Sequence, residues 1–366
     1  MSIQVGKTKK GKITMPLKEY DSGILSDYVT AVSWSPNGKI IAISSAGGEV
    51  ILWQGKNKWV TLQAATGLSV DCISFSRDSQ LLAAGGQDGI VKIWRLPSQE
   101  LIATLDNSPA WVDRLAWSFT DNHLAFSISR YVQIWDGDSN TVIATLNFEA
   151  SSVLSMAWHP VVANLAIGGY QGVKIWHGDD WDNDPDILAV PSACQTLAWS
   201  PNGKYLACGN IDRTLAVFEL GKPYPWLMQG FPGKIRALAW SSKATLLGTP
   251  LLASGSAEGI VVWEKQIQEG LGWESLVLEG HEEVATAIAF QPNTFLLASA
   301  SADGRICLWQ SAEELVQILG GVSQGFSCIA WQPQGKLLAA GGENGELLVL
   351  CTPAYQASIP KGFQSS

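Results

Sequence analysis

Histidine is scarce in this chain of 366 residues, with four copies, and charged residues make up only 16%. Positive charge is the minority sign: 24 Lys and Arg stand against 33 Asp and Glu, a formal net charge of −9. Nucleic-acid binding relies on basic surface to neutralise phosphate, so this balance excludes it as a general function and leaves room only for a local patch. No apolar run approaches the roughly 18–20 residues that a membrane span needs, so integral membrane association is not expected. Residues 1–12 are polar, carry Lys7, Lys9, Lys10 and Lys12, and are followed by no signal-peptide core; they read as a flexible basic tail, and the protein as cytoplasmic. The six cysteines (Cys72, Cys194, Cys208, Cys307, Cys328, Cys351) form no C-x-x-C pair, which leaves buried thiols in strands as the expectation.

What the chain has in excess is tryptophan, 17 copies against 10 Phe and 7 Tyr. A motif of the form apolar-x-x-apolar-small-aromatic explains most of them. It ends at Trp34, Phe75, Trp117, Trp158, Trp199, Trp240, Phe290 and Trp331, in steps of 41, 42, 41, 41, 41, 50 and 41 residues. A second aromatic follows 18 or 19 residues later at Trp53, Trp94, Trp135, Trp176, Phe218 and Trp309; Trp263 comes late and Leu350 takes the last place. Self-similarity at this period marks a repeat architecture.

Each repeat carries strand and turn signals in alternation. Ser35-Pro36-Asn37-Gly38-Lys39 and Ser200-Pro201-Asn202-Gly203-Lys204 are turns, in which Pro fixes φ and Asn-Gly supplies positive φ. A run such as Leu81–Gly86, a turn at Asp88-Gly89, a strand Ile90–Trp94 and a bridging stretch such as Leu101–Leu105 complete an all-β unit. On these residues the chain resembles the WD-repeat (WD40) β-propeller family, over about 340 residues from near Ile13 to Leu350. The seventh repeat is the fullest match, with Gly280-His281, Ser299, Asp303-Gly304 and Trp309. The resemblance implies a hydrogen-bonded network within the blade for His281, Ser299, Asp303 and Trp309.

Three strands per repeat leave one outer strand to be found. Ile13–Tyr20 lies at the right distance before the first repeat, and is expected to complete the last blade beside strands from about 326–350. The expected architecture is therefore a single eight-bladed propeller over 13–350, closed by its two chain ends, with 351–366 as a C-terminal tail. Closure of this kind limits exposed edges. The long step is read as a lengthened repeat, with extra residues in 241–250 and around 265–273 on one face.

Signs of chemistry are few. The sequence has no H-x-x-x-H and no G-x-x-x-x-G-K-S/T loop. His123, His159 and His177 are expected near one rim but on three separate blades. Asp180, Asp182, Asp184 and Asp186 alternate as at the start of a calcium loop, yet Pro185 and Pro191 stand where such a loop needs Gly and Glu; a solvated acidic loop is the simpler reading. No cofactor is expected and the protein is not read as an enzyme.

WD-repeat propellers use one rim for partners, built from the loops entering each first strand and joining the second strand to the third. The resemblance places Tyr28, Trp111, Tyr170, Lys234 and Arg236 there as candidate partner-binding residues, aromatics and Arg being the usual interface anchors. Trp111 belongs to neither repeated register. Packing on the blade is the expectation for Trp59, Trp226 and Trp273, in outer strands. The implied function is a non-catalytic scaffold that binds one or more proteins. The alternative is a ligand- or metal-binding, even catalytic, propeller using Asp71, Asp113 and Arg236 at the channel mouth; fold alone does not decide.

Overall fold

The computed structural model describes residues 17–190, 192–257, 259–268, 270–320 and 322–352. They form eight four-stranded antiparallel sheets. Blade 1 is Val29–Trp34, Ile41–Ser45, Val50–Trp53 and Trp59–Gln63, running from its first strand at the central channel to its outer strand. Blades 2 to 7 follow in chain order, with first strands Val70–Phe75, Leu115–Trp117, Ser155–Trp158, Cys194–Trp199, Ile235–Ala244 and Ala285–Phe290. Blade 8 takes Phe326–Trp331, Leu337–Gly342 and Glu346–Cys351, and its outer strand is Lys18–Ile24 from the other end of the chain.

Closure by the two ends is as expected, but the strand is not Ile13–Tyr20. It begins at Lys18 and runs to Ile24, and residues 13–16 lie outside the described residues. Asp21 and Ser22 look like turn formers; in fact Asp21 is buried because its carboxylate accepts Trp53 Nε1–H at 2.7 Å and Asn57 N–H at 2.9 Å. An outer strand tolerates a buried carboxylate that is paired in this way.

The repeated motif has a packing reason. Its aromatic closes the gap between blades: the indole N–H of Trp34, Trp158, Trp199, Trp240 and Trp331 donates to the carbonyl of Ala330, Ala116, Ala157, Ala198 and Ala289, at 2.9–3.2 Å. Each acceptor immediately precedes the equivalent aromatic of the preceding blade. The small residue lets an indole approach that backbone, and the bond satisfies a donor that burial would otherwise strand. Trp117 Nε1 has no such partner among the described residues.

Apolar clusters form between adjacent blades rather than at one centre; Leu251, Ile260 and Val262 of blade 6, for example, pack with Ile288, Phe290 and Trp309 of blade 7. Such seams are what stacked repeats supply, since one blade cannot bury both of its faces alone. The excess residues of blade 6 extend the hairpin between its first two strands, where Ala244 pairs with Pro250, and the connection from Lys265 to Trp273. Gly203 shows why the Asn-Gly turns are needed: its φ is +70°, and a Cβ there would sit 2.2 Å from His159 Nε2.

Candidate functional site

The upper face of the disc carries the connections into the first strands and the turns between second and third strands. Trp111 enters blade 3 here and is 55% exposed, although its backbone is fixed on both sides: Ala110 N–H donates to Asn107 O at 3.1 Å and Val112 N–H to Gly86 O at 3.0 Å. Tyr170, 53% exposed, tips the turn of blade 4 and is held through its N–H to Ser151 Oγ at 3.0 Å. Tyr28, entering blade 1, leans toward blade 8; burial, then Cys328 and Glu343, push its phenol above the ordinary range, against a hydrogen bond with Ser327. Lys234, half-buried, immediately precedes the first strand of blade 6, and Arg236, exposed, is the second residue of that strand. The five residues thus share a face but spread over blades 1, 3, 4 and 6; Trp111 and Tyr170 are on neighbouring blades.

At the mouth of the channel the ring binds itself. The hydroxyls of Thr30, Thr286 and Ser327 donate to the carbonyls of Val70, Phe326 and Val29 on the next blade. Asp71 accepts Ser69 Oγ–H at 2.6 Å; burial raises its carboxyl above the usual range, the Ser69 bond opposes this and neighbouring Asp113 adds to it. Arg114 spans to blade 4 through Nε to Leu154 O at 3.1 Å and holds Asp113 O through Nη1 at 2.8 Å. Among the described residues no group of three or more His, Cys, Asp or Glu gathers to hold a metal ion.

The histidines are not on three blades. His159 and His177 both belong to blade 4 and only His123 to blade 3, because the turn after one first strand and the end of the following third strand meet on the lower face. His159 is a structural group: its Nε2 lies 3.1 Å from Gly203 O, and its Nδ1 accepts Val161 and Val162 N–H at 3.1 Å each. Burial keeps its pKa below the ordinary value, so the ring is neutral with its proton on Nε2. His177 Nε2 is 3.0 Å from Asp186. The Asp180 carboxylate accepts from the Asp182 N–H and from Asn183 Nδ2 and so braces the loop; Pro191 lies outside the described residues. The loop also delivers Trp181, whose ring meets Trp158 at 5.9 Å and His123 at 6.4 Å. Sequence alone offered no signal for that role beyond an unregistered tryptophan.

In blade 7, Trp309 Nε1–H donates to Ser299 Oγ at 2.9 Å, Ser299 Oγ lies 2.8 Å from His281 Nε2, and His281 Nδ1 lies 3.2 Å from Asp303 Oδ2. A neutral imidazole protonated on Nδ1 satisfies every link, and burial holds the His281 pKa down in spite of Asp303. This chain of bonds runs through the blade interior, with the His281 and Asp303 side chains almost fully buried.

Two features of the molecule were not marked as sites by the sequence. Gly321-Val322-Ser323-Gln324-Gly325 spells the G-x-S-x-G of a nucleophile elbow, but a strand, Phe326–Trp331, follows where the elbow needs a helix, and Ser323 Oγ accepts Asn344 Nδ2–H at 2.8 Å. On the lower face, a cavity of ≈ 550 Å³ opens the channel, lined by Trp34, Phe75, Trp117, Trp158, Trp199 and Trp240 among others. Beside it, Phe119 and Val161 on adjacent blades are 58% and 59% exposed. The repeated aromatics that build the ring therefore also line its lower opening.

Comparison with known proteins agrees with this architecture. The Anaphase-promoting complex subunit 4 WD40 domain model matches residues 32–110 and 73–161, and the WD domain, G-beta repeat model matches 188–219, 272–310 and 313–349. Similar proteins include the nuclear distribution protein nudF of Aspergillus terreus, 28% identical over 185 residues, 45% of this chain and 42% of that one. Others are the histone-binding protein MSI1 of Saccharomyces cerevisiae, 28% identical over 127 residues (34% and 29%), and the periodic tryptophan protein 2 homolog of Caenorhabditis elegans, 29% identical over 94 residues (25% and 10%). The matches thus span less than half the length of each of these relatives. With eight blades in one register and both repeat models matching along it, the chain is a member of the WD-repeat β-propeller family.

Proposed function

We propose that this protein is a non-catalytic scaffold, cytoplasmic in location, that binds one or more partner proteins through its upper face. The observation that carries the reading is the pair of half-exposed aromatics, Trp111 and Tyr170, set on neighbouring blades with their backbones pinned by hydrogen bonds. A rigid aromatic with few rotors loses little entropy when a partner covers it, which is why such residues dominate interface energetics. Arg236 adds an exposed cation on the same face. A similar protein named for histone binding supports a protein partner as the class of ligand.

Affinity capture from native lysate tests this, comparing the wild type with a Trp111→Ala/Tyr170→Ala/Arg236→Ala variant of unchanged melting curve. Proteins held by the wild type and lost by the variant are the expected result. An identical catch from both overturns the upper face as the site, and a Phe119→Asp/Val161→Asp variant then asks whether the lower opening is used instead.

A further inference from the structure

We propose that Cys194 and Cys208 are a modification site: a dithiol in blade 5 that hydrogen peroxide converts reversibly to an intrachain disulfide. Their Sγ atoms lie 2.7 Å apart, and both residues are fully buried in one apolar cluster. A disulfide needs about 2.05 Å, so closing the bond brings the sulfurs about 0.65 Å nearer, with the side chains turning to the torsion the bond requires.

The placement arises from a register shift. Cys194 pairs with Asn210 and Thr196 with Gly209, leaving Gln195 as the extra residue, while Cys208 pairs with Leu197 one pleat away on the same side. The same shift recurs in other blades, where the corresponding pairs are Val29 and Ile43, Val70 and Ala84, Ile235 and Ser254, Ala285 and Ser299, and Phe326 and Ala340. The fold therefore fills these positions without sulfur, and packing alone gives no reason for two cysteines in blade 5. The other four thiols lie in blades 2, 7 and 8.

The chemistry balances with peroxide as the oxidant. One sulfur, as thiolate, attacks a peroxide oxygen, the O–O bond breaks, and a sulfenic acid forms with release of one water. The second sulfur then attacks the sulfenic sulfur, the S–O bond breaks, and the oxygen leaves as a second water. Two electrons and two protons pass from the thiols to peroxide. Burial raises the Cys208 thiol well above its ordinary range, so the thiolate is rare and the reaction is slow. The nearest seam is the one with blade 4, which Ser155 Oγ–H closes by donating to Cys194 O at 3.1 Å, so peroxide reaches the pair only when that seam opens.

The folded, full-length protein is treated with hydrogen peroxide, quenched with N-ethylmaleimide in denaturant and digested with trypsin without reductant. Trypsin separates the two cysteines, onto residues 175–204 and 205–213. The expected product is a linked pair of these peptides, lighter by two hydrogens than their sum, that dithiothreitol separates; the thiol count in denaturant falls by two. Recovery of both peptides as separate maleimide adducts, or as sulfinic acids, overturns the proposal, as does a link that forms only in unfolded protein. In Cys208→Ala, loss of two thiols through another pairing also overturns it.

Discussion

Blades 6 and 7 stand side by side and fill the same position with opposite chemistry. Nine residues before the first-strand aromatic, blade 7 has His281 and blade 6 has Phe231. Both blades keep the serine that receives the third-strand indole: Trp309 Nε1–H reaches Ser299 at 2.9 Å and Trp263 Nε1–H reaches Ser254 at 3.0 Å. Beyond the serine, His281 continues the chain of bonds to Asp303, whereas Phe231 lays its ring 5.8 Å from Trp263. The blade needs that position filled and the serine satisfied; a polar relay is one way and an apolar plug another. A buried polar network and a hydrophobic replacement of similar volume often have comparable stability, provided no member is left unpaired.

The largest expected effects break what the two blades share. Trp309→Ala and Trp263→Ala should each destabilise the protein by about 3–5 kcal/mol, from lost burial and the cavity left behind; urea denaturation measures both. Exchanging the plugs should hurt in both directions, each by about 1–3 kcal/mol. His281→Phe takes the acceptor from the Ser299 hydroxyl and one donor from Asp303, which keeps the Glu282 and Arg305 N–H, and Phe231→His buries a polar ring where a phenyl packs on Trp263. Equal stability for either exchange would mean that the relay contributes nothing.

Acid separates the blades without mutation. His281 has its pKa held below the ordinary 6.5 by burial, so folding disfavours its protonation. Its contribution is complete above that value and is lost as pH falls from there. Thermal melting should therefore drop between neutral pH and pH 5, and drop less in His281→Phe. A residual slope is expected from His159, which burial shifts in the same direction. The smallest effect concerns the seams: Trp158→Phe keeps an aromatic ring but removes the bond to Ala116 O and part of the buried indole, for a loss of about 1–2 kcal/mol. Phe75 and Phe290 already occupy this position in blades 2 and 7.

The fold was legible because one register repeats eight times, and a periodic error in reading it would have been visible. Single events were harder to read. Lys18–Ile24 was misplaced because it was set by its distance before the first repeat alone, and only the partner Trp53 explains a carboxylate at Asp21. Thr30, Thr286 and Ser327 sit at rim positions in the register, but their hydroxyls are spent on the next blade, a contact about forty residues away or at the opposite end of the chain. The assignment of the histidines to separate blades misread the register, which already sets His159 after Trp158 and His177 after Trp176 in one repeat. Trp111 and Tyr170 were legible as rim aromatics from register, but their exposure was not, since Ser69 at the position equivalent to Trp111 is buried.

Joining the ends of the chain in one blade also sets an order of events during synthesis. Leu17 exchanges two hydrogen bonds with Gln317, a partner 300 residues later, and the strand beside it waits for Glu346–Cys351. At about 5–20 residues per second the ribosome needs roughly 15–60 s to supply that partner. Throughout, the early strand must resist pairing with its neighbours. Its sequence, Lys18-Glu19-Tyr20-Asp21-Ser22-Gly23-Ile24, carries three charges and a glycine, features that discourage premature strand pairing. The polar residues of this segment thus suit it to wait for its partner.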